Sequence, residues 1–304
     1  MLKAAMQDVF SYAPLGTQAN YIMQRRVTKN LPVSETKFHE KFSFALRHFT
    51  NFETWLPTVD ASDAAFFEFG AGWDLIIPLT YYALGIERQT LVDIRPNMRF
   101  ELINDTLRRF TAKHAELEAL AEKPLRPVGA TPVTSIADLR TRFGVTYLAP
   151  CDARNTNLSA ESIDMVTSTA TLEHIPGPDI LKILKECRRL LKPGGIVSSI
   201  IDMQDHYSYF DSHITVYNFL TLSDAAWRLA NAPLGYQNRL RYSEYMKLFA
   251  SANLETLAEE IKGPSDAERL ALKAMKLAPR FRHTYTIDDL GARSLKLISR
   301  KNGH

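Results

Sequence analysis

The chain has 304 residues, 37 basic against 34 acidic, a net charge of +3, and 45% hydrophobic content. That length buries a full core in one elaborated domain or two small ones, and so even a charge balance, without a run of like charge, argues against nucleic acid as an obligatory partner. Cys151 and Cys187 are too few for a disulfide framework and lack metal-ligand spacing, which fits a reducing, cytoplasmic setting; no segment approaches the roughly 20 apolar residues of a bilayer span, so no membrane partner is expected.

The first stretch, 1–60, reads as a helical cover. Ser34 caps a helix carrying Phe38, Phe42, Ala45, Phe49 and Phe52 on one face. That face must pack on its own subunit or on a second copy, so a homodimer is possible. From Ala64 short apolar runs alternate with amphipathic stretches: AAFFEFG, a helix to Gly85, QTLVDI, and a helix from about Met98 to Glu122. After the loop KPLRPVGATP come VTYLAP, IDMVTST, another helix and GIVSSIID. In that helix Asp179 serves as cap, Ile180, Leu184, Cys187 and Leu191 form the apolar side, and Lys192-Pro193-Gly194-Gly195 supplies the stop. Strands alternating with helices imply an α/β fold with a parallel sheet and right-handed crossovers.

Four strand ends carry candidate chemistry, because ligands of open parallel sheets bind at the carboxyl ends of the strands. Glu68, Gly70 and Gly72 bracket Ala71 in an acid-x-Gly-x-Gly turn where bare backbone lets a ligand approach. An ordinary strand-to-helix turn has the same look. Pro78 falls in the first turn of the next helix or kinks it. Asp93 closes the second strand twenty-one positions after Gly72 and is followed by Ile94; a carboxylate so placed accepts from two ribose hydroxyls, unless it caps a helix, a role that Asn97 could fill instead. Asp152, before Ala153, could accept from an adenine amino group or sit in a plain turn. His174 follows the fourth strand, as a proton acceptor or as a structural histidine bonded to backbone.

Glu68-Phe69-Gly70-Ala71-Gly72, Asp93, Cys151-Asp152-Ala153, Leu172-Glu173-His174-Ile175 and Leu191-Lys192-Pro193-Gly194-Gly195, in this order and spacing, resemble the class I S-adenosylmethionine-dependent methyltransferases of the small-molecule, type 11-like kind. The resemblance spans about Ala64 to Asp202, and more loosely two C-terminal strands near Leu254–Lys262 and Ser294–Arg300. It implies a Rossmann-like, seven-stranded, mostly parallel sheet with helices on both faces, occupying 61–304. It also implies S-adenosyl-L-methionine as cofactor, bound by Glu68, Gly70, Ala71, Gly72, Asp93, Ile94, Asp152 and Ala153. Where the family often has a third glycine stands Asp74, which either crowds the methionine carboxylate or caps the following helix. Because the sulfonium already activates the methyl group, catalysis is alignment of a nucleophile plus removal of a proton if that nucleophile is a hydroxyl.

The segment DMQDHYSYFDSHITVYNFLTLSDAAW, dense in aromatics, histidines and carboxylates, reads as a substrate lid inserted at 203–245. Its rings and polar groups suit a sugar or similar hydroxylated small molecule, with His206 beside His174 as candidate catalytic residues and O-methylation as the reaction. Alternatively Tyr207, Phe210, Tyr217, Phe219 and Trp227 pack on the N-terminal helices. No resident metal is expected, although Asp202, Asp205, His206, Asp211 and His213 could gather a divalent cation. Arg239 and Arg241 could hold a phosphate or carboxylate before a helix capped by Ser243 and stopped at Asn253. Two other classes fit part of the pattern: a catalytically silent binding or scaffold protein on this fold, and a nicotinamide-dependent oxidoreductase, for which the third glycine and a Tyr-x-x-x-Lys pair are missing.

Overall fold

The computed structural model describes residues 31–231 and 235–301, so the helical reading of the first 30 positions lies outside the described residues. Seven strands form one sheet: β1 Ala65–Phe69, β2 Arg88–Val92, β3 Val145–Leu148, β4 Ile163–Thr169, β5 Leu191–Asp202, β6 Leu254–Lys262 and β7 Ser294–Lys301, in the order β3-β2-β1-β4-β5-β7-β6. The first five are parallel, and β7 runs antiparallel to both β5 and β6. The order reverses between β1 and β4, which opens a crevice at their carboxyl ends.

Period-two alternation along β1 sends Phe66 into one hydrophobic layer and Ala65, Phe67 and Phe69 into the other. The first layer is closed by α1, Glu35–Trp55, whose Ser34 cap accepts from the Lys37 amide and whose Phe38, Phe42, Ala45, Phe49 and Phe52 are buried. These rings pack within the subunit against α2, Ile76–Ala83, and the sheet, so the face left open between own subunit and neighbour is taken up by the chain itself. A polar pin secures α1: buried His48 meets Ser198 at 2.7 Å and Thr169 at 3.0 Å, and Asn51 donates to the same serine. Burial drives the His48 pKa down to about 3, so the ring is a neutral hydrogen-bonding spacer. The other layer is built by α6, Gly177–Leu190, and α8, Tyr242–Ser251, over Phe67, Val197 and Leu297.

Several local expectations are corrected. The helix expected from Met98 to Glu122 is two, α3 Phe100–Ala112 and α4 His114–Ala121, parted at Lys113, whose backbone is not helical. An additional helix, α5 Ile136–Phe143, precedes β3; it is fixed by a reciprocal capping box between Ser135 and Asp138 and stopped by Gly144 in the left-handed region. The α3 helix has no side-chain cap, so Asn97 does not cap it. Nor does Asp179 cap α6: the cap position is Pro176, and Asp179 instead pairs with Lys182 and Arg154. Leu191 is buried as the first residue of β5, and a register shift against β4 absorbs the Lys-Pro-Gly-Gly residues within the strand. Helix α8 begins at Tyr242, so Ser243 lies inside it, where its amide donates to Asp289. Pro78 does fall in the first turn of α2, and Asn253 is left-handed.

After β5, residues 203–230 form two short 3₁₀ turns, His206–Tyr209 and Asn218–Thr221, and helix α7, Asp224–Ala230. Tyr217, Phe219 and Trp227 are buried, not against α1 but against Leu272, Phe281 and Leu290 of the β6–β7 connection. That connection holds α9 Asp266–Ala274, α10 Pro279–Arg282 and α11 Ile287–Gly291.

Candidate active site

The turn after β1 is the floor of the crevice. Gly70 and Gly72 have φ of 79° and 75°, a region costly to side chains. A Cβ on Gly70 would lie 2.5 Å from the Thr171 side chain, whereas one on Gly72 would meet nothing within 4 Å. Gly70 thus lets the ends of β1 and β4 touch, and Gly72 leaves one face of the turn open. Asp74 is buried, its carboxylate accepting from the Ile76 amide at 3.3 Å and from the Lys41 ammonium of α1 at 2.6 Å, while the cap position of α2 is Leu75, which has no side-chain cap bond. Glu68 is buried beside it, taking a hydrogen bond of 3.2 Å from Thr167, and burial pushes its pKa up to about 8.

Asp93 stands at the next strand end. Burial raises its pKa to about 7, opposed by hydrogen bonds from the Gly72 amide and the Tyr147 hydroxyl. The Gly72 contact joins the two parts of the sequence motif in space. Asp93 does not cap a helix, and the following Ile94 is an apolar side chain left 66% exposed. Cys151 ties back to this end, its amide donating to the Asp93 carbonyl at 2.8 Å. Ala153 is half-buried against the second core layer. Asp152 is clasped by Arg154, whose guanidinium donates to both carboxylate oxygens at 2.7–3.0 Å and also reaches Asp179. An adenine amino group at Asp152 would share that carboxylate with the arginine, a partner the sequence reading missed although it lies two positions away.

Across the switch in strand order, the ends of β4 and β5 bring a polar cluster together. His174 and His206 meet edge to face with centroids 5.0 Å apart, and His206 stacks on Tyr209 at 5.4 Å. Nδ1 of His174 contacts the Tyr236 carbonyl at 2.7 Å. A carbonyl only accepts, so this nitrogen carries the proton and Nε2 offers a lone pair. Desolvation, and then the neighbouring His206, hold the His174 pKa below its ordinary value. Asp202 Oδ2 lies 3.3 Å from His206 Nε2, and Tyr209 donates to the same oxygen. Burial works against the Asp202 charge, but the contacts from His206 and Tyr209 prevail and keep its pKa low. Glu173, 1% exposed, belongs to the same cluster, and burial raises its pKa well above the carboxylate range. Sequence reading quoted Glu173 within a motif but assigned it nothing; its burial is what sets it apart.

Other candidates are dispersed. Asp205 is buried in its own turn, accepting from the Tyr207 amide, and Asp211 accepts from the His213 amide, so the five-residue cation set read from the sequence does not converge. Arg239 is held by the Phe219 and Leu222 carbonyls and by Asp224. Arg241 is fully buried, with its Nη2 on the Met203 and Ala292 carbonyls and its Nε and Nη1 unpartnered, so burial keeps it from a substrate anion in the crevice. Beside His174, past Tyr236, a cleft of about 530 Å³ opens between Pro178, Trp227, Arg228, Asn231 and Arg280. Among the described residues no helix is long and apolar enough to cross a membrane.

Residues 130–199 match the family described as a methyltransferase domain, a stretch that includes the Asp152, Glu173 and His174 positions and begins after the glycine turn. No curated protein matches the chain. Among solved structures, a SAM-dependent methyltransferase from Methanosarcina mazei is similar at 13% identity, over 82% of this chain and 97% of its own, with a TM-score of 0.47. A putative sarcosine dimethylglycine methyltransferase from Galdieria sulphuraria shares 17% identity over 86% of each chain, TM-score 0.45. Geranyl diphosphate C-methyltransferase from Streptomyces coelicolor shares 13% over 83% of this chain and 77% of its own, TM-score 0.44. Likeness at this level carries no assignment of substrate.

Proposed function

We propose that this chain, a class I S-adenosylmethionine-dependent methyltransferase by its matched methyltransferase-domain segment, its strand order and its glycine turn, methylates a hydroxyl oxygen of a small polar acceptor, of which a sugar is the leading kind. The observation that carries the reading is the side-by-side placement of an open glycine turn with Asp93 and a histidine cluster, linked through the Gly70–Thr171 contact.

On this reading Gly70, Ala71, Gly72 and Glu68 would hold S-adenosyl-L-methionine at the turn after β1, Asp93 would accept from its ribose hydroxyls, and Ile94, Asp152 and Ala153 would receive its adenine. The cofactor supplies an activated methyl cation equivalent. The chain supplies alignment and a place for the acceptor proton. His206, backed by Asp202 at 3.3 Å, is the group suited to receive that proton, with His174 orienting the hydroxyl through its Nε2. Residues 203–245 act as the lid, and the cleft lined by Trp227 and Tyr236 offers a ring face beside polar groups to a polyhydroxylated acceptor.

The test is transfer of an isotopically labelled methyl group to a panel of sugars, other hydroxylated metabolites and amines, with S-adenosylhomocysteine release measured in parallel. Label retained on a hydroxylated acceptor, lost in His206→Asn while cofactor affinity persists, is the expected result. Label on amines alone would overturn the oxygen-acceptor reading.

A further inference from the structure

Glu173, His174 and His206 each present one ligand atom, and these atoms all lie within 4.8 Å of one another. We propose that the three residues bind one divalent transition ion of the zinc class. The observation that points to a cation is Glu173: at 1% exposure both its carboxylate oxygens are buried with no side-chain partner and no hydrogen bond of good geometry, and the nearby Glu173 and Asp202 backbone amides offset its burial only weakly. A carboxylate so placed is costly unless something positive meets it. The histidine opposite is set up for the same task. The Tyr236 carbonyl, 2.7 Å from Nδ1 of His174, fixes the tautomer that leaves Nε2 as a donor atom, the outer-shell arrangement typical of metal-bound imidazoles. Nε2 of His206 is likewise buried without a hydrogen bond, and Asp202 Oδ2, 3.3 Å from that same nitrogen, is placed as a fourth ligand.

Two imidazoles with a carboxylate favour zinc, cobalt or iron(II) over magnesium or calcium, which take oxygen donors. Bonds of roughly 2.0–2.2 Å would draw these ligand atoms closer than the 4.8 Å within which they now lie. The set differs from the five acidic and histidine positions that the sequence suggested, because Glu173 comes from the turn after β4 whereas Asp205, Asp211 and His213 face elsewhere. An ion here would take the lone pairs that the proposed proton transfer uses, so metal-loaded and metal-free protein differ in how the acceptor oxygen is handled. The inference rests on the proposed active site only for its location, and it is read by binding without turnover.

Chelator-stripped, untagged full-length protein titrated with Co²⁺ provides the test. One equivalent should bind, with visible d–d absorption that Zn²⁺ displaces. His206→Asn and Glu173→Gln should each weaken binding by more than the roughly 10–100-fold that follows loss of an outer-shell partner, while Asp211→Asn leaves it unchanged. Retained S-adenosylhomocysteine affinity in His206→Asn shows that the fold is intact, so a poorly folded Glu173→Gln does not spoil the test. Absence of the absorption band under excess Co²⁺, or its persistence in His206→Asn, overturns the site. Cobalt binding by a protein that binds no S-adenosylhomocysteine would sustain the metal site while removing the methyltransfer reading.

Discussion

Asp93 offers the sharpest test of the cofactor assignment, because its carboxylate is buried at 8% exposure and its pKa is pushed up to about 7 by that burial. A ribose is held through two hydroxyl donors, which requires the ionised carboxylate. The sign follows: the protonated free protein must lose a proton to bind, so affinity is full above pH 7 and is lost as the pH falls through it. With a pKa of about 7, affinity for S-adenosylhomocysteine at pH 6 should be about tenfold weaker than at pH 8. Asp93→Asn keeps the shape and removes the charge. A hydrogen bond to a charged group is worth about 1.5–3 kcal/mol, so the variant should bind about 10- to 150-fold more weakly at pH 8. It should also lose the part of the pH dependence that belongs to Asp93; any slope left in it belongs to Glu68. Isothermal titration of wild type and variant at both pH values reads all of these quantities. An Asp93→Asn affinity within about twofold of wild type at pH 8 lies well below the loss expected for such a bond and would refute the ribose assignment.

Further outcomes follow from the glycine turn and its buried acid. Gly72→Ala should cost only the strain of a left-handed side chain, about 1–2 kcal/mol, whereas Gly70→Ala also places a Cβ only 2.5 Å from the Thr171 side chain and should lower urea stability further; Thr171→Ala in that background should recover part of the difference, and its failure to do so would deny the contact its role. Glu68 binds its proton more tightly in the folded chain, with a pKa of about 8 against an ordinary 4.5, so its contribution to stability is present at low pH and disappears as the pH rises through about 8. Cofactor-free Glu68→Gln should therefore be more stable than wild type above pH 8, by more than the about 1.4 kcal/mol of one pKa unit, and thermal melts at low and high pH that run parallel would contradict this.

The parallel strands and their chemically loaded ends were legible because β1, β2 and β4 are short apolar runs ended by Gly70, Asp93 and Thr169, and burial on both faces leaves little else they can be. Helix α5 was also legible in principle, since Ser135, Asp138 and Gly144 supply start and stop signals within the residues between Glu122 and Val145. The break at Lys113 was not, because Ala112, Lys113 and Ala115 are good helix formers and no Gly or Pro marks a stop there, while Leu117 and Ala121 of the second helix join the first core layer. Glu173 shows the same limit in the site: adjacency to His174 is visible in the sequence, but an unpartnered carboxylate becomes informative only when its burial is known. Arg154 and Asp152 are near neighbours in a turn, but the second carboxylate on the same guanidinium, Asp179 of α6, is brought in by the fold and is not visible in the sequence.

The two sides of the crevice have separate structural origins, and this constrains how the activity can be dissected. Gly70, Gly72 and Asp93 come from the ends of β1 and β2, under α1 and the Lys41–Asp74 pair. Glu173, His174, Asp202 and His206 come from the ends of β4 and β5. The segment that follows β5 is anchored through Tyr217, Phe219 and Trp227 to the β6–β7 connection rather than to α1. The sides meet at the Gly70–Thr171 contact. Substitutions well away from that contact should therefore act independently, as sites without shared partners do: Asp93→Asn should change cofactor affinity without touching Co²⁺ binding, and His206→Asn should do the reverse. Strong coupling between the two in the double variant would mean that the cofactor and acceptor sides share a partner beyond Thr171.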